Sequence, residues 1–269
     1  MFRRFWLGVI TVITVSFGAA SVSSAAGLSG HKAVYTIDLK SARSSSGVVG
    51  VTGGTVYEFA DACNGWIIEN KSYMVFSYAE GPRIETSWAF SAWESKDAKA
   101  FRFTVRHSRN GKIIDDIEGR ISRAARGEGG VAQITRPEES EIPFPKGTQF
   151  PTEHMLTLLN AAKAGESVVR KVLFDGAGLD NPFDVNAVIG GVHQPHGIDA
   201  KGGEDFTKSP TWAVRLAFFP LPGQAAAPEY EMEVLYREDG VAEQILQDFG
   251  DFVLKADLHR IEKLPESGC

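Results

Sequence analysis

The 269-residue sequence predicts a mainly β protein: a large, many-stranded antiparallel sheet, curled into a barrel or a wrapped sheet, with one central helix covering or plugging it. Three observations carry this. β-prone runs recur along nearly the whole chain, separated by short turn-rich connections. Asn110-Gly111 and Asp239-Gly240 stand between such runs as tight-turn signals, since these residue types tolerate the positive φ of a hairpin turn. Helical spacing is sustained only once, just after Pro151. A sheet of more than a dozen strands cannot lie open and flat without exposing edges, so curling follows.

The first residues set the expected compartment. Arg3 and Arg4 precede an uncharged, mostly apolar stretch at 5–17, and small residues follow to Gly27, with Ser24-Ala25-Ala26 as a cleavage site. This is the pattern of a secretory signal peptide. Spanning a bilayer takes about 20 apolar residues, so the reading is a cleaved leader at 1–26 and one exported, soluble, β-rich domain at 27–269. No cysteine near the cleavage site offers a lipid attachment point. Without Arg3 and Arg4, 26 Lys plus Arg face 34 Asp plus Glu, a net charge of −8. That balance argues against a nucleic-acid partner and against electrostatic attachment to anionic lipid.

Residues 34–39 alternate, with Tyr35, Ile37 and Leu39 on one face. Runs at 48–51 and 55–59 read as two strands around Gly53-Gly54, and 66–78 as a long strand ended by Gly81-Pro82. Strands are expected at 84–93, 100–109, 112–122, 131–135 and 139–144. The helix starts near Thr152, a residue able to cap, with Glu153 suited to the positive end of the helix dipole and Gly165 as the stop. Strands resume at 167–174, 185–190, 212–219, 230–236, 241–249 and 252–261. An enclosed cavity or groove is a consequence to be tested; Trp88, Phe90 and Trp93 matter to it only if they line it together.

The chain has two cysteines, Cys63 and the last residue, Cys269. A terminal cysteine packs no core, an exported protein keeps disulfides, and two cysteines allow one intramolecular pairing. The expected role is a structural tie, with Asn64-Gly65 as the turn and Trp66 as a buried anchor.

Candidate chemistry is sparse. His193 and His196, with Asp184 or Asp199, are the nearest approach to a zinc ligand set. Pro195 between them, the lack of a helix-borne Glu as general base and the need for a third ligand from elsewhere favour a polar surface loop. His154 would need a nucleophile and an orienting partner to act as acid or base; a hydrogen bond to backbone is the simpler expectation. Asp175 and Asp180 in a Gly-rich stretch lack the regular oxygen spacing of a calcium loop and read as turn formers. No cofactor motif is found.

Several segments together resemble the cell envelope integrity protein EipB family: the opening strand at 31–39, Asp61-Ala62-Cys63-Asn64-Gly65-Trp66, Phe150-Pro151-Thr152-Glu153-His154, Ala164-Gly165-Glu166, Leu173-Phe174-Asp175-Gly176 and terminal Cys269. The resemblance implies a periplasmic β-spiral or open barrel, stapled between the positions of Cys63 and Cys269. It implies a part in maintaining the Gram-negative envelope, a link to a periplasmic tetratricopeptide-repeat protein, and a shape similar to carriers that deliver lipoproteins to the outer membrane. It brings no catalytic residues. The leading expectation is a non-enzymatic protein that binds a partner or an apolar ligand; the alternatives are a lipid or lipoprotein carrier and a hydrolase of envelope polymer.

Overall fold

The computed structural model describes residues 27–221, 226–265 and 267–269; the expected leader at 1–26 lies outside them. Among the described residues fourteen strands form one antiparallel sheet. The first eight are β1 (His31–Ala42), β2 (Val48–Asp61), β3 (Gly65–Tyr78), β4 (Ile84–Ser95), β5 (Ala100–Arg109), β6 (Lys112–Ser122), β7 (Gly130–Arg136) and β8 (Ser140–Phe144). After the helix α1 (Pro151–Ala164) come β9 (Val168–Leu173), β10 (Phe183–His196), β11 (Ser209–Pro220), β12 (Tyr230–Arg237), β13 (Ala242–Asp248) and β14 (Phe252–Lys263).

The spatial order runs β8 back to β1, then β14 back to β9. Every neighbour is a sequence neighbour except β1 and β14, which pair from His31↔Lys263 to Ala42↔Phe252. The chain therefore starts in the middle of the sheet, walks to one edge, crosses by α1, and walks back from the other edge. The two edge strands, β8 and β9, do not pair, so the barrel stays open along that seam. Gln149 bridges it, its backbone carbonyl accepting from the Phe174 N–H at 2.9 Å and its N–H donating to the Val172 carbonyl at 2.8 Å.

Alternation dictates which side chains go inside. Phe101, Phe103 and Val105 of β5 are buried while Arg102, Thr104 and Arg106 face water. Asn110 and Gly111 have φ of 50° and 75°, the hairpin geometry expected of them. One apolar cluster joins β2–β8 to Phe150 and Phe174, and a second joins β9–β12 to Leu158, Ala161 and Ala162 of α1. Met155 of the same helix packs against the first cluster, so α1 is the element shared by both halves.

Three local expectations need correction. Residues 48–61 are one strand, not two: β2 passes through Gly53-Gly54 in register with Met74 and Tyr73. A Cβ on Gly53 would lie 2.2 Å from the Tyr73 carbonyl oxygen, so the glycine permits close backbone approach where a turn was expected. β10 extends to His196, so His193 and His196 sit on a strand and not in a loop. Thr152 does not cap the helix; the N-cap is Phe150, which makes no side-chain capping bond.

Candidate functional site

The helix is capped from another strand. Trp88, Phe90, Ala92 and Glu94 share the inward phase of β4, and Glu94 is 2% exposed. Its carboxylate accepts the N–H groups of Thr152 and Glu153 at 2.7 and 2.9 Å, two of the four donors a helix start leaves open. Burial pushes this carboxyl up to about 7, against the opposite pull of the two N–H groups. Glu153 in turn meets the buried guanidinium of Arg123 at 3.2 Å. Arg123 also donates to the carbonyls of Ala98 and Thr148, both at 2.7 Å, and lies 4.3 Å over the Phe150 ring. The start of α1 is thus fixed by charge, which sets where its apolar face enters the interior.

A polar crevice of about 200 Å³ opens beside this network, between Glu94, Lys96, Arg126, Gln149 and Glu153. Its charged groups are already engaged, while the Gln149 Oε1 is buried with no hydrogen-bond partner among the described residues. Both Glu94 oxygens hold the helix, Glu153 faces Arg123 and Arg126, and Trp66 is stacked on Phe59 with Lys96 above its ring at 4.7 Å.

On the other side of the helix start lies a mostly apolar cavity of about 240 Å³. β2 contributes Tyr57 and Phe59, β3 Ile68 and Asn70, β4 Trp88 and Phe90, and β12 Tyr236. Pro151, Thr152 and Met155 of α1 and Asp175 and Ala177 of the β9–β10 connection complete the wall. Tyr57, Asp175 and Tyr236 lie deep in the molecule, and burial raises the pKa of all three, yet each keeps accessible surface. Deep residues with accessible surface line a hollow. Trp88 and Phe90 stack at 5.6 Å on the wall, whereas Trp93 points outward beneath Arg102, 5.3 Å from its ring.

The connection that closes this cavity is held by aromatic packing. Gly176, at φ 71°, sits where a Cβ would be 2.7 Å from the Phe103 ring. Asp175 accepts the Ala177 N–H and the Asn181 amide through Oδ1, at 2.8 and 2.9 Å. Asp175 therefore forms a turn, as its neighbours predict, but the turn faces the interior.

The histidines fall elsewhere. His193 is exposed on β10 opposite Thr211. His196 lies 3.0 Å from Glu243 and 3.1 Å from the Gln194 carbonyl oxygen, and Glu243 raises its pKa. Asp184 pairs with Arg170. Among the described residues no group of three or more His, Cys, Asp or Glu side chains is placed to hold a metal. Glu243 also meets Arg237, a fully buried guanidinium that ties the β12–β13 turn to the carbonyls of His196 and Thr207. His154 departs from expectation: its Nε2 is buried with no partner among the described residues, and burial, with Lys171 nearby, lowers its pKa to about 4. The neutral ring is what this apolar setting tolerates.

Cys63 and Cys269 are joined by a disulfide, with Cα atoms 5.8 Å apart across a sequence separation of 206. Cys63 itself takes the left-handed conformation, at φ 61°, and its N–H donates to Asp61. Trp66 is half-buried.

Sequence reasoning missed Glu94, Asn70, Tyr57 and Tyr236. The first two carried a readable signal, a polar residue on the inward phase of an alternating strand. Tyr57 and Tyr236 looked like ordinary core.

The model of the EipB-like family matches residues 22–265. The chain belongs to the EipB-like family. It is 30% identical over 250 residues to the cell envelope integrity protein EipB of Brucella abortus (strain 2308), covering 91% of this chain and 88% of that one. It also resembles a crystal structure described as a β-barrel-like protein of a domain of unknown function, DUF1849, from Brucella abortus. That likeness has a TM-score of 0.81 and 28% identity, over 89% of this chain and all of the other. The family, the β-rich open-barrel architecture and kinship with an envelope integrity protein are thereby given. Among the described residues no helix is long and apolar enough to cross a membrane.

Proposed function

We propose that this protein is exported by its leader to the periplasm, as one β-rich domain, and supports envelope integrity by binding a small, largely apolar ligand, not by catalysis. One observation carries the reading: the aromatic-walled cavity, built by both halves of the sheet and by the helix that joins them. Such concave, mostly apolar sites with a few placed polar groups are the usual form of a small-molecule site. At about 240 Å³ it is smaller than the roughly 300–1,000 Å³ typical of drug-sized ligands, and suits one ring or a short alkyl segment. Carriage of a whole lipoprotein anchor would require α1 to leave the seam. A hydrolase is the weaker reading, because the carboxylates of the polar crevice are committed to the helix start and to arginines. The tetratricopeptide-repeat protein implied by the family is the proposed recipient of the ligand-bound state.

The test is a cavity-filling substitution, Ala177→Leu. Protein isolated from its own envelope should release a near-stoichiometric small molecule on organic extraction, detected by mass spectrometry. The variant should lose that molecule and fail to restore envelope integrity in a deletion strain, while keeping its melting temperature. Full restoration by a stably folded, filled variant would refute ligand binding as the function.

A further inference from the structure

One carboxyl group on the cavity wall, that of Asp175, has no basic partner among the described residues. Asp175 uses Oδ1 for both of its bonds, to the Ala177 N–H and the Asn181 amide. Among the described residues Oδ2 accepts no hydrogen bond, and no Lys, Arg or His side chain lies within 4 Å of this carboxylate. Asp175 keeps accessible surface and is one of the residues that line the cavity. Burial pushes a carboxyl so placed toward its protonated form, and a cation arriving beside it is what favours the ionised one.

The remaining wall is the right chemistry for such a cation. Tyr57, Phe59, Trp88, Phe90 and Tyr236 are five aromatic rings around one small space. Ring faces attract cations through their quadrupole, most strongly when the site is dry, and aromatic cages of this kind select alkylated ammonium groups. Asn70 adds orientation: its carbonyl oxygen accepts the Thr55 and Ser72 hydroxyls, at 2.6 and 3.1 Å, so its NH₂ is the group left for a ligand oxygen.

We propose that the cavity binds a compact alkylammonium group, with Asp175 as its counter-charge, the aromatic rings as its cage, and Asn70 holding an oxygen carried beside the nitrogen. This rests on reading the cavity as a ligand site and narrows the ligand class. It disfavours fatty acids and other anions, whose charge would meet Asp175. It also disfavours plain hydrocarbon, which would seal a carboxylate into an apolar space. The ammonium group can belong to a free small molecule or to a lipid headgroup.

The experiment titrates the mature, oxidised protein with choline and with its neutral isostere 3,3-dimethylbutan-1-ol, read by calorimetry and by tryptophan fluorescence. Choline should bind and the isostere should bind roughly tenfold or more weakly. Asp175→Asn keeps the Oδ1 acceptor and the side-chain shape, and should remove the preference. Trp88→Leu should weaken choline binding with Asp175 intact, which covers the case of a poorly folded Asp175 variant. Flotation with phosphatidylcholine vesicles, against phosphatidylglycerol vesicles, separates the sources: co-flotation with the former alone assigns a headgroup, and binding of free choline alone assigns a soluble ligand. Equal binding of choline and isostere overturns the ammonium inference and leaves the apolar-site reading standing. Binding of neither, in solution or on vesicles, overturns both.

Discussion

Glu94→Gln isolates the device that seats the helix. In the wild type one carboxyl group, protonated at pH 5, presents both oxygens to two helix-start N–H groups, at 2.7 and 2.9 Å, inside a site where it is 2% exposed. Glutamine keeps the volume and one acceptor, but turns an NH₂ toward the second donor. An orphaned buried donor costs about 1–3 kcal/mol, and each kcal/mol moves the melting temperature of a domain of this size by about 2–4 °C. The variant should therefore melt roughly 3–9 °C lower at pH 5. The pH dependence has a definite sign. The folded carboxyl is raised from its ordinary 4.5 to about 7, so the native state holds its proton while the unfolded chain releases it. Stability from this group is complete below the unfolded pKa and is lost as pH rises through the folded one, by on the order of 3 kcal/mol at most. Glutamine cannot titrate. The gap between the two proteins should accordingly shrink from pH 5 to pH 8, closing or reversing, because groups common to both proteins cancel in the difference. Scanning calorimetry at both pH values measures it. A gap that is constant or widens with pH would refute the assignment of Glu94 as a buried, proton-accepting cap.

Other perturbations probe other parts of the same frame. Cys63→Ser, Cys269→Ser or reduction should cost about 2–5 kcal/mol of stability and expose the C-terminal residues to protease without removing the fold; unchanged melting under reductant would show that the tie contributes nothing. Gly53→Ala should disrupt the β2–β3 ladder, because its Cβ would meet the Tyr73 carbonyl oxygen at 2.2 Å, whereas Gly50→Ala, 3.7 Å from the Ser77 Cβ, should be tolerated. Equal thermal melts for the two variants would contradict that close approach. His196 should titrate above its ordinary 6.5 in NMR, because Glu243 favours the imidazolium, and Glu243→Gln should bring it down; an unmoved midpoint in the variant would break the pairing.

What the sequence made legible was whatever depends on local alternation. Arg102-Phe103-Thr104-Val105 can only be a strand with one wet and one dry face, and Asn110-Gly111 can only be its hairpin. Harder to read was any feature whose partner lies far along the chain. Gly53-Gly54 imitates a turn in isolation and becomes a strand once the β3 backbone must pass within van der Waals reach. Thr152 imitates a cap until a carboxylate 58 residues earlier takes the N–H it leaves unsatisfied. The β1–β14 pairing, which turns a simple meander into a sheet whose start and end meet in the middle, has no local signature at all. The cavity belongs with these. Its wall draws on β2, β3, β4, α1, the β9–β10 connection and β12, and each contributes a residue that alone reads as core or turn. Asn70 of this wall, and Glu94 of the neighbouring crevice, did not fit that description, since both place polar groups on phases otherwise apolar. In an open barrel an inward polar residue must meet something: Glu94 meets the helix start, and Asn70, with its oxygen spent on Thr55 and Ser72, turns its amide to the space that a ligand would fill.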